Sequence, residues 1–201
     1  MKYKLTKNKK TIGEITLYQI EALKDFSDIK KGDLGGWIEK ESNLSQQGDS
    51  WVSGNARVFG NAWVYGRARV YGRARVYGCA RVYGCAEISG SAEVTGDARV
   101  SGCARVSGNV RVSGDAWVYG RAEVTGDARV SGDAWVYGNA RVFGCAEISG
   151  RVYGDAMVYG NARVSGDAWV YGRARVFGNV RVYGNARVFG CAEISGDAII
   201  T

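Results

Sequence analysis

The chain of 201 residues contains no histidine and no proline. The absence of histidine removes the side chain that most often acts as general base near neutral pH and that most often ligates metal. No apolar run approaches the roughly 20 residues of a membrane span. The opening MKYKLTKNKK is basic, but TIGEITLYQIEALKD follows it with alternating charge and no cleavable apolar core. A cytoplasmic protein with no membrane association is expected. The five cysteines form no CxxC pair, which fits neither a zinc module nor a secreted disulfide framework. Lysine is absent after Lys40, whereas the region from Gly48 onward holds 18 arginines and 13 acidic residues. That shift predicts a boundary near residue 47, between a segment 1–47 and a region 48–201. The net charge of +7 permits an anionic partner, although spaced charges also describe a plain solvated face.

What the chain does contain is glycine, 30 of them. From Gly48 to Gly150 one falls at every sixth position, and from Gly154 to Gly196 the interval holds again. The unit reads G-[N/D/R/C]-A-[R/W/E]-V-[Y/S/F], and self-similarity over such a length is the signature of a solenoid. A-R-V-Y alternates with period two, so Ala and Val point inward and the Arg/Trp/Glu and Tyr/Ser/Phe slots point outward. The following Gly-Asn or Gly-Asp pair makes a sharp corner. A glycine every six residues and so many β-branched side chains exclude helix.

These units, V-Y-G-N-A-R and its variants over residues 48–201, resemble the hexapeptide repeat of left-handed parallel β-helix proteins. The resemblance implies an all-β β-solenoid of about eight triangular coils, three hexapeptides to a coil, with residues eighteen apart stacked as parallel strands; the left hand comes from the family alone. Many proteins of that family are acyltransferases in which a histidine between subunits serves as base and protruding loops build the site. This chain has no histidine, and its spacing leaves no room for a loop after Gly48. A carboxylate such as Glu123 could in principle serve as base, but no nucleophile is marked beside it. Residues 1–47 also resemble, more weakly, the leader of phage-type and bacterial proteins with the same repeat.

Winding the chain in threes separates three faces. The first carries Trp51, Arg69, Glu87, Arg105, Glu123 and Arg141, an alternation of sign that suits neighbouring strands. The third carries the pairs Trp63/Tyr65, Arg81/Tyr83, Arg99/Ser101, Trp117/Tyr119, Trp135/Tyr137, Arg151/Tyr153, Trp169/Tyr171 and Arg187/Phe189. As a platform it would offer Trp63, Tyr65, Trp117, Tyr119, Trp135, Tyr137, Trp169 and Tyr171 for stacking on sugars, bases or protein, and Arg81, Arg99 and Arg151 for anionic groups. Alternatively the face is covered by residues 1–47 or by a neighbouring subunit, or its aromatics only supply β-favouring cross-strand pairs. Asp97, Asp115 and Asp133 share one edge, first of all as turn residues. Cys85 and Cys103 share another, at a spacing that a disulfide could bridge, though the expected compartment favours free thiols.

Both ends of a parallel solenoid need a cap or a partner. KYKLT and EITLYQI read as strands around Gly13, and GDLGGWIE brings Trp37 and Ile38 to close the first coil. At the other end Ile199 takes an outward slot, which predicts a homo-oligomer that buries Ile199 and Ile200. Three functional readings stand: a non-catalytic binding module for an anionic small molecule, nucleotide or host protein, a self-assembling scaffold, and an acyltransferase-like enzyme. The first is preferred, with no catalytic residue, cofactor or metal assigned. Between Gly150 and Gly154 two residues are missing, read as the corner residue and the inward Ala. Two is an even number, so the alternation survives, and a shallow notch beside Trp135, Arg151 and Trp169 is the expected result.

Overall fold

The computed structural model describes residues 1–201 and is all-β apart from one 3₁₀ turn, Glu41–Asn43. The repeat forms 26 two-residue strands, from Trp51–Val52 to Ile199–Ile200, which is eight full coils and two further sides. They line up in three parallel sheets, the first face of nine strands, the third of eight, and the second of twelve because three strands from residues 1–47 join it. With the irregular turn made by residues 34–47 the solenoid has about nine turns, one more than the repeat count suggests.

The reason is a backbone ladder. Each side donates three hydrogen bonds to the coil above, as when the N–H groups of Trp51, Ser53 and Asn55 bond the carbonyls of Ala68, Val70 and Gly72 at 3.0, 2.9 and 2.9 Å. Residues eighteen apart therefore stack directly, Glu87 on Arg105 and Val94 on Val112. The inward Ala and Val columns are fully buried in one cluster of 52 residues. Each buried Val contributes about 1.5 to 3 kcal/mol, which offsets the ordering of short strands.

The corners require glycine for two reasons. Gly90 has a φ of 66°, and a Cβ there would stand 2.7 Å from the nitrogen of Gly108 in the next coil. Gly190 has a φ of 67° but faces nothing within 4 Å, since no coil lies beyond it.

Residues 1–47 form the expected cap. Strands β1 (Tyr3–Ile12) and β2 (Ile15–Ala22) pair antiparallel around Gly13, and β3 (Leu34–Ile38) pairs with β2 and then, in parallel, with Arg57–Val58. Ile38 closes the core, and Leu44 bridges to Val64. The cap thus prolongs the second face and seals the coil end; it does not blanket the third face. Its turn at Phe26–Ile29 covers Trp51, whose ring meets Phe26 and Tyr3 edge-on at 5.3 and 6.3 Å.

Two titratable groups are buried in this junction. Lys2 is only 1% exposed, and its ammonium donates to the Ser50 carbonyl at 2.7 Å, the Ser50 hydroxyl at 3.2 Å and the Gly48 carbonyl at 3.3 Å. Burial lowers its pKa from 10.5 to about 8, against the pull of Asp49. Tyr3 donates its hydroxyl to the Leu44 and Glu41 carbonyls at 2.7 and 3.0 Å, and burial raises its phenol well above the ordinary range.

Two outcomes are expected. Gly90→Ala should lower stability at least twice as much as Gly190→Ala, which bears only the strained φ of about 1 to 3 kcal/mol; equal melting points would refute the stacking argument. In the second, the unfolded chain keeps the Lys2 proton to about pH 10.5 while the folded chain releases it near pH 8. The unfolded state then binds more protons in that window, so stability rises with pH. Denaturant midpoints should show wild type gaining about 2 kcal/mol between pH 7 and pH 10 relative to Lys2→Met. Above pH 10 Tyr3 acts in the opposite sense, because the unfolded phenol ionises first.

Candidate functional site on the third face

The strand ladder places the outward residues of the third face in two columns. In one, Trp63, Arg81, Arg99, Trp117, Trp135, Arg151, Trp169 and Arg187 follow each other in register. The Trp117 and Trp135 rings stack at 5.6 Å. Arg99 lies 4.6 Å over Trp117, and Arg187 lies 5.3 Å over Trp169. Arg151 is held between two indoles, 5.6 Å from Trp135 and 5.1 Å from Trp169. Such cation–π contacts fix the guanidinium plane and leave its N–H edge free.

In the other column Tyr119, Tyr137, Tyr153, Tyr171 and Phe189 stack one on the next at 4.8 to 5.4 Å, and Tyr65 stacks on Tyr83 at 4.9 Å. Stacking half-buries the phenols, and burial raises the pKa of Tyr65, Tyr119, Tyr137 and Tyr153. Ring faces are therefore spent on neighbouring rings, and the surface shows ring edges and hydroxyls. Trp63 and Trp135 are the most open indoles, at 43% and 38% exposure. Tyr153, Arg187 and Phe189 belong to these columns as fully as the residues singled out from the sequence, in the same slots of the hexapeptide.

Charge distinguishes this face from the other two. On the first face Arg105 stands 3.9 Å from both Glu87 and Glu123, and Arg141 stands 3.5 Å from Glu123. On the second face Glu93 pairs with Arg75 and Arg111 at 3.0 and 3.7 Å, and Glu147 with Arg129 and Arg163 at 3.6 and 3.2 Å. Arg69 leaves the alternation, because Asp28 and Ser27 of the cap hold its guanidinium. That junction forms a pocket of about 280 Å³ with Trp51, Tyr71 and Glu87. The third face has no carboxylate in its strands, and Arg81, Arg99, Arg151 and Arg187 form no ion pair.

The short coil spans sixteen residues, since Trp135 pairs with Arg151 and Glu147 with Arg163, and it counts as a full turn. The identity of the missing pair differs from the expectation. Gly150 is buried, has no positive φ, and accepts the Trp135 N–H at 3.1 Å, as Ala134 accepts that of Trp117 at 2.8 Å. Gly150 thus occupies the inward Ala slot, and the two residues of the corner are what is absent. A Cβ there would stand 2.7 Å from the Ala168 carbonyl oxygen, which explains why this inward position is glycine. The notch, about 240 Å³, accordingly lies at the corner and is lined by Asp133, Ser149, Gly150, Arg151, Gly166 and Asp167. All five cysteines, Cys85 and Cys103 included, are exposed free thiols. Ile199 is 59% exposed at the last coil and Ile200 is half-buried in the Val slot. No helix is long and apolar enough to cross a membrane.

The family model described as "YdcK Beta solenoid repeat" matches residues 52–66, 68–84, 104–120, 151–172 and 174–188. The chain is also similar to a protein of Escherichia coli (strain K12) named "Uncharacterized acetyltransferase YdcK", with 45% identity over 38 residues. That alignment covers 19% of this chain and 12% of the relative. Both matches support a β-solenoid repeat family as what this chain resembles, and the family-model matches lie in the repeat.

Proposed function

We propose that the chain is a non-catalytic binding module that presents its third face to an anionic group on a ligand or host protein. The observation behind this reading is the set of arginines without carboxylates. The second-face glutamates Glu93 and Glu147 and the first-face Glu123 each sit between two arginines, and Glu87 pairs with Arg105, whereas Arg81, Arg99, Arg151 and Arg187 form no ion pair and have in their own column only aromatic neighbours or each other. A guanidinium pinned against an indole loses little rotamer freedom on binding, and its planar edge matches carboxylate or phosphate. With the ring faces already occupied, recognition runs through guanidinium edges and phenol hydroxyls more than through new stacking.

A second reading takes acetyl transfer, the activity in the relative's name, for this chain as one form of the acyltransferase-like alternative; the similarity covers a small part of that protein. A steady-state acyl-CoA assay with common acceptors tests it. End-to-end association through Ile199 and Ile200 is a separate proposal, motivated by their exposure on an apolar coil. A clean monomer by light scattering at micromolar concentration would exclude it.

The main reading is tested on heparin and polyglutamate columns with two triple variants of equal net charge. Arg81→Gln/Arg99→Gln/Arg187→Gln should elute at clearly lower salt than Arg105→Gln/Arg141→Gln/Arg163→Gln, which removes paired arginines. Coincident elution would show that only overall charge matters.

A further inference from the structure

The corner notch has a chemistry that differs from the face beside it. Corner residues ordinarily bond their N–H to the glycine carbonyl of the next coil, as Asp97 does to Gly114 at 3.0 Å and Asp127 to Gly144 at 2.9 Å. Short of the last coil, which has no neighbour, three corner residues lack that bond: Asp115, Asp133 and Asp167. All three lie on the edge where the corner is missing. Asp133 and Asp167 flank the gap, and the stacked glycine that should cover Gly132 is absent, leaving only the Ser149 Cβ at 3.9 Å.

The lining combines hydrogen-bond donors and acceptors and has no apolar side chain. The donors are the Arg151 guanidinium, held between Trp135 and Trp169, the Ser149 hydroxyl and the free N–H of Asp133, which points toward the missing corner; that of Asp167 points away, toward Gly184. The acceptors are two exposed carboxylates, and none of the charged groups in the notch is ion-paired. Two carboxylates against one guanidinium give the notch a net negative charge, which disfavours a free anion. The absence of apolar lining disfavours a hydrophobic ligand. A hydroxyl both donates and accepts, so a ring bearing several of them answers both sets at once.

We propose that the notch at Ser149–Arg151 is a binding site for one neutral sugar ring. Ring hydroxyls donate to the carboxylates of Asp133 and Asp167 and accept from Arg151 and Ser149, while the indoles of Trp135 and Trp169 keep the guanidinium in place. The notch, about 240 Å³ and open to solvent on one side, is on the scale of one hexose ring. This proposal shares Arg151 with the third-face reading but needs neither Arg81, Arg99 nor Arg187.

The repeat supplies its own control. Inserting Asp-Ala between Gly150 and Arg151 restores G-D-A-R-V-Y, rebuilds the corner and fills the notch while keeping every third-face residue. Saturation-transfer NMR should show saturable binding of at least one of the methyl glucosides, galactosides or mannosides to wild type. Glycerol, which lacks the ring, and inorganic phosphate should give at least tenfold weaker signals. The insertion variant and Asp133→Asn/Asp167→Asn should both lose the hexoside at least tenfold, with column behaviour on heparin unchanged for the insertion. Disaccharides that bind no better than the single ring would agree with a one-ring site. The proposal is overturned if no hexoside saturates, if phosphate displaces the hexosides, or if the Asp133→Asn/Asp167→Asn protein binds as wild type does. Loss of heparin binding alone would count against the third-face reading and leave the notch standing.

Discussion

The in-register hydrogen-bond ladder between coils is the constraint on which everything else in this chain rests. Because each side donates three N–H groups to the side above it, position n is placed directly under position n + 18, and each outward side chain has a neighbour of the same slot above and below. Most stacked corners must then tolerate both a positive φ and a backbone atom within about 3.4 Å of where a Cβ would be, a combination that suits glycine. The core is likewise a consequence of the ladder. Ala alternates with Val because the inside of a three-sided tube has space for one branched and one small side chain per side.

The same register decides what the surface can be. Unlike charges in adjacent coils attract; the first face uses this with arginine and glutamate in alternation from Arg69 to Arg141, and the second with each glutamate between two arginines. Such exposed pairs are individually worth little, so their main effect is to neutralise part of the guanidinium charge of those faces, where Arg57, Arg175 and Arg181 stay unpaired. On the third face aromatic rings take the place of glutamate. A guanidinium over an indole is held without being neutralised, so the face retains its positive charge with its geometry fixed. The rings lie against each other at the spacing of the coils, close to the ordinary distance of aromatic stacking, and this spacing turns a run of tyrosines into a continuous column.

The period of glycine, the inward Ala and Val, the three faces and the pairing of Trp135 with Arg151 and Trp169 were all legible in the sequence, because each follows from counting residues. The orientation of the rings was not. A count shows that Tyr119 and Tyr137 share a column, but whether their faces meet each other or the solvent depends on side-chain torsions that carry no sequence signature. Contacts between the cap and the repeat were equally hidden, since Asp28 with Arg69 and Lys2 with Ser50 join residues about forty or more positions apart and outside any period. Gly150 misled for a related reason. Every other repeat glycine is a corner glycine, and only its φ, burial and hydrogen bond show that it fills an alanine slot.

A perfectly periodic solenoid has no address: any group that binds one coil binds the next with the same affinity, and a ligand slides along the ladder. A specific site therefore requires a place where the period fails while the fold does not. The short coil satisfies both conditions. Removing two residues preserves the alternation, and the third face continues in register across the gap through Arg151. The Ser149 and Gly150 N–H groups both turn to the Val164 carbonyl, at 2.8 and 3.1 Å, so the backbone closes over the lost corner without leaving the ladder. What the deletion cannot preserve is the hydrogen bonding of the neighbouring corner: the N–H of Asp133 loses the glycine carbonyl it would meet in the next coil. The irregular coil thus gathers in one notch an unpaired corner N–H, the carboxylates of Asp133 and Asp167 and the guanidinium of Arg151.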